Sequence, residues 1–192
     1  SRFFLARSYI GQKKFKSARG VLETLLAAVP NHLGAMAAMA EVELAEKNLD
    51  AAVTMAAQVI NTGKSGYDSQ EQFTAYIVMA DVEGLRGNDE ARMMQLRAAL
   101  GAQPKDEATA ITLGKILLTG GKRGEAFAAL RPCKELGNNS EEFLKLFVQA
   151  AHADEQDDVA EQAIKEGAEL YPTSAVFPNL SGELELARGL NE

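Results

Sequence analysis

The chain has 192 residues, a formal net charge of −7 and 46% hydrophobic residues. That size and apolar fraction exclude a disordered tail and allow a sizeable buried core. The acidic balance argues against nucleic-acid binding, which depends on a basic surface that displaces counterions. No apolar run approaches the ~20 residues of a membrane-spanning helix, so no direct membrane insertion is expected. Alanine and leucine dominate the apolar residues, which favours helix over sheet.

A recurring alanine is the strongest pattern along the chain. Each copy follows a turn that contains Gly, Lys or Asp and then acidic or polar residues. An apolar residue comes four positions later, except in the third copy, where Gln95 stands there. The recurring residues are Ala18, Ala52, Ala91, Ala126 and Ala160, at spacings of 34, 39, 35 and 34 residues. Such a regular spacing indicates an internal repeat.

A stretch with apolar residues at helical spacing precedes each of these alanines. Four of the five stretches hold a small residue at the matching position, and Val148 is the exception. The small residues are Ala6, Ala40, Ala80 and Gly114. A small residue there lets the neighbouring helix approach closely, and the recurring alanine does the same from the second helix. Each unit is therefore predicted to be two antiparallel helices joined by a short turn.

The pattern resembles the tetratricopeptide repeat, whose period is about 34 residues. The resemblance covers residues 1 to about 190, although the second and third units match less well and the family's early tryptophan is absent. The closest matches are Leu5, Ala6, Tyr9, Ala18, Leu22 and Pro30, and Leu113, Gly114, Gly121, Ala126 and Leu130. The resemblance implies an all-α fold, an α-solenoid of about five helix-turn-helix repeats plus a C-terminal unpaired helix.

The repeat pattern also predicts boundaries. We expect one repeat domain over residues 1–192, with the final helix either capping the array or separated from its mate. The predicted units are 1–32, 33–68, 69–104, 105–138 and 139–173, followed by a terminal helix at 174–192. Ser69 with Gln72 is predicted to form a capping box, and Asp106 and Ser140 are predicted N-caps.

Three departures from a regular repeat carry their own expectations. Pro132 is predicted to kink the second helix of the fourth unit or to end it early. Residues 61–70 form a polar, glycine-containing connection that accounts for the 39-residue spacing and is expected to be mobile. In the final helix, Pro178 suits the first turn, and Leu184, Leu186 and Leu190 have no following helix to pack against.

Residues that could perform chemistry are few. The chain has two histidines, His32 and His152, and one cysteine, Cys133, so an internal disulfide is excluded. There is no His/Cys cluster with zinc spacing, no complete phosphate loop and no nucleophile elbow. The acidic stretch at 152–158 lacks the central glycine and alternating ligands of a calcium loop. We therefore expect no catalytic residues, no metal and no cofactor, and a Cys133 that belongs to the core.

The family resemblance implies a place for a partner. In this family the first helices line a concave groove in which the partner usually lies. The matching central positions are Arg7, Glu41, Asp81, Lys115 and Gln149, and those one turn earlier are Phe3, Ala37, Ile77, Ile111 and Lys145. An apolar, mixed-charge floor suits an extended peptide or an amphipathic helix. Some members hold a C-terminal carboxylate with Lys, Arg and Asn, and the acidic residues at two central positions argue against that mode here.

The function predicted from these features is a bacterial-type, non-catalytic scaffold that binds a protein or peptide and supports assembly of a larger complex. One alternative is the accessory repeat region of a longer enzyme whose catalytic domain lies outside this chain. Another is a structural module that self-associates, because residues 1–22 hold six basic and no acidic side chains whereas 140–192 hold twelve acidic and three basic. The compartment, cytoplasm or bacterial periplasm, stays open, because a targeting signal could lie beyond Ser1.

Overall fold

The computed structural model describes residues 1–63, 69–135 and 139–189, and within these ranges every regular element is an α-helix. The helices are α1 (Arg2–Gly11), α2 (Phe15–Ala28), α3 (Leu33–Ala45), α4 (Leu49–Thr62), α5 (Ser69–Arg86), α6 (Asp89–Ala102), α7 (Glu107–Thr119), α8 (Arg123–Lys134), α9 (Glu141–Ala153), α10 (Asp157–Leu170) and α11 (Val176–Gly189). They form two compact units, with α1–α6 in unit 1 (1–103) and α7–α11 in unit 2 (104–192).

The helices pair as antiparallel hairpins, as the repeat pattern predicts. Unit 1 contains the hairpins α1–α2, α3–α4 and α5–α6, and unit 2 contains α7–α8 and α9–α10 followed by the unpaired α11. The predicted all-α fold of five helical hairpins plus a terminal helix is thus confirmed for the described residues. The prediction that the whole chain is one domain stays a prediction.

Small residues explain how closely the helices pack. The matched alanines are fully buried in the first helices (Ala6, Ala40, Ala80) and in the second helices (Ala18, Ala52, Ala126, Ala160). At Gly114 of α7, an added Cβ would lie only 3.1 Å from Leu130 Cδ2 and 3.2 Å from Leu146 Cδ2. A larger residue would therefore force α8 and α9 away from α7. Ala91 is only half-buried, so the third hairpin is less regular, in line with Gln95.

Side-chain caps begin several helices. Asp106 accepts a hydrogen bond from the Thr109 backbone N–H at 2.9 Å, and Ser140 accepts one from Phe143 at 3.2 Å, which confirms both predicted N-caps. His32 caps α3 in the same way, through Nδ1, and the sequence alone did not predict that role. The side chain of Ser69 lies outside the described residues, so its capping box stays a prediction.

Pro132 lies near the end of α8 and Pro178 lies near the start of α11, as the sequence predicts. The helix α8 continues two residues beyond Pro132 and has 12 residues, whereas α2, α4, α6 and α10 have 14 each. A proline inside a helix removes one backbone N–H donor, which favours this early end. Pro178 lies in the first turn of α11. Residues 64–68 of the predicted mobile connection and Leu190 lie outside the described residues.

Cys133 belongs to the core of unit 2, as predicted. Its side chain is 4% exposed, and Sγ contacts the carbonyl oxygen of Lys105 at 3.7 Å. Burial is the main cause that raises the pKa of this thiol, and the nearby carboxylates of Glu107 and Asp106 add to it. A thiol in these surroundings is a weak nucleophile.

A larger residue at a close helix approach is expected to destabilise the fold. Ala126 is fully buried in α8, whereas Ala128 on the same helix is exposed. Ala126→Leu is expected to lower the free energy of unfolding by about 1–3 kcal/mol because the core must shift to admit it. Ala128→Leu is the control, expected to change it by less than about 0.5 kcal/mol. Urea denaturation of both variants measures the difference, and equal effects would contradict this packing.

Candidate functional site: the first-helix faces

The first helices of unit 1 bring two matched residues into contact. Arg7 of α1 and Glu41 of α3 stand 34 positions apart, and Arg7 Nη1 lies 2.5 Å from Glu41 Oε1. Equivalent positions of the first two hairpins are therefore neighbours in space. We define the first-helix face of unit 1 by the predicted positions Phe3, Arg7, Ala37, Glu41, Ile77 and Asp81.

The apolar positions of this face differ in how much surface they offer. Phe3 is half-buried: its ring lies 5.4 Å from the His32 ring and covers Gly34, where an added Cβ would lie 3.0 Å from Phe3 Cζ. Ala37 is 4% exposed and packs in the core between hairpins, so it offers a partner almost no surface. Ile77 on α5 is half-buried and leaves part of its side chain available.

A cleft of about 460 Å³ opens beside Asp81, at the C-terminal ends of α3 and α5. We call it the Arg92 cleft, and its lining residues are Leu44, Ala45, Lys47, Asp81, Gly84, Leu85 and Arg92. Leu85 is 55% exposed. Desolvation by the surrounding protein raises the pKa of Asp81, and the positive charge of Arg92 opposes that rise. The sequence predicted only Asp81 of this set.

The first-helix face of unit 2 carries Ile111, Lys115, Lys145 and Gln149. Ile111 is half-buried on α7, and the other three side chains are exposed on α7 and α9. Lys115 Nζ lies 2.5 Å from Glu142 Oε1 of α9, an exposed ion pair of the kind that contributes little stability. Gln149 lines a small cleft of about 180 Å³ against α11.

The second helices α8 and α10 of unit 2, together with Phe147 of the first helix α9, line another cleft, which the sequence did not predict. It has a volume of about 370 Å³, and Phe127, Phe147 and Val159 supply its apolar lining. The charged side chains at its rim pair with one another: Lys134 Nζ lies 2.7 Å from Glu166 Oε2, and Arg131 pairs with Glu135 at 3.1 Å. These four charged side chains are therefore paired within the protein and do not require a charged group from a binding partner.

The titratable side chains of the described ranges include one histidine–carboxylate contact. No cluster of three or more His, Cys, Asp or Glu side chains is placed to hold a metal ion there. His152 Nδ1 of α9 lies 2.7 Å from Asp157 Oδ1 of α10, across the turn that joins the two helices, and this contact is the main cause that lowers the pKa of Asp157. Neither His32 nor His152 hydrogen-bonds to a serine or cysteine of the described chain.

Among the described residues, none of the helices is both long enough and apolar enough to span a membrane.

Solved structures with the same fold share little sequence with this chain. The MamA protein has 13% identity over 91% of this chain and 92% of its own, with a TM-score of 0.63. YrrB, described as a TPR protein with an unusual peptide-binding site, has 12% identity over 94% and 90%, with a TM-score of 0.61. The C-terminal part of a TPR repeat-containing protein from Cytophaga hutchinsonii has 14% identity over 98% and 72%, with a TM-score of 0.71. At these identities the likeness concerns the fold.

Sequence comparison identifies the family over the first two hairpins. Residues 3–65 match the family model described as Tetratricopeptide repeat. No curated protein sequence matches the chain. Residues 3–65 thus carry tetratricopeptide repeat sequence, and helical hairpins of the same kind continue through both units.

Proposed function

We propose that this protein is a non-catalytic scaffold that binds a segment of another protein on its first-helix faces and supports assembly of a larger complex. The observation that carries the proposal is a half-buried isoleucine one helical turn before an exposed charge in each unit. Ile77 precedes Asp81 on α5, and Ile111 precedes Lys115 on α7. Residues four apart share a helix face, so each pair offers apolar surface beside a charge.

This pairing of surfaces fits a peptide or a helix better than a small substrate. Peptides that dock against helices place apolar anchors in a groove and use charges to set their register. The solved structure of YrrB, with its described peptide-binding site, shows that the same fold serves such a role in another protein. The scattered histidines and the buried Cys133 support a binding function over catalysis.

The experiment that tests the proposal begins with the whole chain on an affinity support. Proteins retained from a lysate of the source organism are identified by mass spectrometry, and the partner is then purified. The decisive measurement is then a binding titration with the purified partner. A chain that converts a substrate, with no partner of measurable affinity, would contradict the scaffold.

Ile111→Asp is expected to weaken binding of that partner more than Lys115→Ala. Burying an isoleucine against a partner contributes about 1.5–3 kcal/mol, whereas an exposed ion pair contributes about 0–1 kcal/mol. The loss of affinity is therefore expected to exceed about 10-fold for Ile111→Asp. Isothermal titration measures both, after circular dichroism has shown that each variant keeps the helical spectrum.

Val159→Asp is the matched control, because it introduces the same charge into the cleft on the second helices. It is expected to leave the affinity unchanged. If Val159→Asp abolishes binding while Ile111→Asp does not, the partner lies against α8 and α10 and the first-helix face of unit 2 is not the site. If Ile111→Asp unfolds the protein, Ile111 belongs to the core and the proposed face is wrong at this position.

A further inference from the structure

One half-buried arginine lacks an acceptor. Arg19, Arg92 and Arg188 are the half-buried arginines of the described chain. Arg19 donates to Glu43, and Arg188 donates to Glu161. Arg92 donates no hydrogen bond to any described residue, and its Nε is buried without a partner. A buried donor without an acceptor is unfavourable. The two terminal nitrogens of Arg92 also lack an acceptor among the described residues but are not buried, so they can reach a group outside the chain.

Gly84 leaves space for the Arg92 side chain. Arg92 extends from α6 across Gly84 in the last turn of α5, where an added Cβ would lie 3.0 Å from Arg92 Nε and 3.1 Å from Cζ. Glycine inside a helix is unfavourable because it loses more backbone freedom than alanine on folding. At this position it leaves the room that the guanidinium occupies.

The charges in the Arg92 cleft are unbalanced. Lys47 and Arg92 are cations, Asp81 is the carboxylate, and none of these three side chains forms an ion pair with a described residue. Desolvation raises the pKa of Asp81, and the positive charge of Arg92 opposes that rise, so Asp81 offsets at most one of the two cations. The cleft therefore has spare positive charge, and a bound cation would add to the repulsion between the two basic side chains.

The apolar part of the cleft lies next to these charges. Leu85 is 55% exposed, and Leu44 contributes a partly buried side chain. An aliphatic side chain that covers Leu85 removes its apolar surface from water. A ligand that satisfies both parts needs a carboxylate and an aliphatic group close together.

We propose that the Arg92 cleft binds an acidic–aliphatic peptide segment, with an aspartate or glutamate carboxylate on the Arg92 guanidinium and a neighbouring aliphatic side chain on Leu85. The proposal rests on the proposed scaffold function and names the segment that unit 1 recognises. A planar guanidinium can donate two parallel hydrogen bonds to a carboxylate, which an amide or an ammonium group cannot accept.

Capped pentapeptides test the ligand chemistry with the whole chain. The probe is acetyl-Gly-Leu-Glu-Leu-Gly-amide, and its counterparts carry Gln or Lys in place of Glu. In a ¹⁵N-labelled chain, the Glu peptide is expected to shift the backbone amides of residues 44–47 and 81–92. Its dissociation constant is expected to be at least about 10-fold lower than that of the Gln peptide, since hydrogen bonds to a charged group are stronger than neutral ones. Equal binding of the Gln or Lys peptide would overturn the proposal.

Arg92→Met removes the guanidinium while it keeps an unbranched side chain. Arg2→Met, on an exposed residue of α1, makes the same change in net charge and serves as control. Only Arg92→Met is expected to abolish the preference for Glu over Gln. An equal loss in both variants would mean that the overall charge of unit 1, and not the cleft, attracts the peptide.

Gly84→Ala provides a second variant that leaves every charge in place. Its methyl group is expected to displace the guanidinium and to weaken the Glu peptide several-fold. If Arg92→Met does not fold, Gly84→Ala decides, and full binding by Gly84→Ala overturns the proposal. A purified partner that binds through Ile111 while no peptide binds the Arg92 cleft would leave the scaffold function standing and refute this inference alone.

Discussion

Gly167→Ala is expected to loosen α11 from α10 and to lower the free energy of unfolding by about 3 kcal/mol, at the upper end for an overpacked core. Gly167 is buried on α10 beneath the ring of Phe177, which is fully buried at the start of α11. An added Cβ at this position would lie 2.1 Å from Phe177 Cε1 and 2.4 Å from Cδ1. No real contact is that short, so either the aromatic ring or the whole helix must move.

Gly182→Ala is the matched control within the same unit. No atom would lie within 4 Å of an added Cβ there, and alanine in a helix is favoured over glycine by up to about 1 kcal/mol. This control is therefore expected to leave stability unchanged or raised. Urea denaturation gives the free energies, and hydrogen exchange of the α11 amides reports detachment of the helix. Unchanged exchange in Gly167→Ala would show that α11 does not depend on this contact.

The position of α11 affects the candidate site because this helix packs against both α9 and α10. The small cleft that contains Gln149 is formed with Leu180, Glu183 and Leu184 of α11. Loss of α11 from its place would remove one wall of that cleft. The terminal helix therefore shapes part of the first-helix face of unit 2 as well as covering the core.

The fold could be predicted from the sequence because small residues recur at a fixed period. Ala18, Ala52, Ala126 and Ala160 are all fully buried, and a residue at a close approach of helices tolerates little variation in size. The turns and N-caps are local interactions, so Asp106 and Ser140 could be read directly from the chain. The repeat pattern is weakest around Ala91, because Gln95 stands where the other copies have an apolar residue, and Ala91 is only half-buried.

The surface of the first helices was harder to predict, because exposure depends on how closely the neighbouring helices approach. Ala37 occupies a predicted groove position one turn before Glu41, yet it is nearly buried. The helix α3 carries Gly34, Ala35, Ala38 and Ala40 as well, and these small side chains allow adjacent helices to close over it. The repeat pattern predicts the direction in which a side chain points. It does not predict how close the neighbouring helix lies to that side chain.

Contacts made by charged residues of the second helices were not predicted from the sequence. Arg92 comes from a second helix, so a search confined to first helices could not include it. The same holds for Arg19 of α2, which reaches the C-terminal end of α3. The signal is a cation on a second helix that faces either a glycine of its own first helix, as for Arg92 and Gly84, or carboxylates of the next hairpin, as for Arg19. That proximity exists only in three dimensions.

Arg19→Met is expected to lower the free energy of unfolding by about 2–3 kcal/mol at neutral pH, as for the loss of hydrogen bonds to a charged group. Arg19 Nη1 lies 2.7 Å from Glu43 Oε1, and Nη2 lies 2.6 Å from Glu46 Oε2. Glu43 is 9% exposed, so removal of the guanidinium leaves a nearly buried carboxylate without its cation. Asn48 still donates to Glu43 at 2.8 Å, which keeps the loss below that of a fully uncompensated charge.

The dependence on pH separates this ion pair from a simple packing effect. The hydrogen bond from Arg19 is the main cause that lowers the pKa of Glu43 in the folded protein. A lowered folded-state pKa adds stability above the unfolded value of about 4.3, and that stability is lost as the pH falls through the folded-state pKa. The difference in free energy of unfolding between the parent protein and Arg19→Met is therefore expected to be widest above about pH 6 and to narrow below about pH 4.

Lys16→Met, on an exposed residue of the same helix, is the control and is expected to show no such narrowing. Urea denaturation at several pH values measures the gap, and a difference that stays constant from pH 7 to pH 3 would show that Arg19 stabilises the protein through its hydrocarbon chain alone.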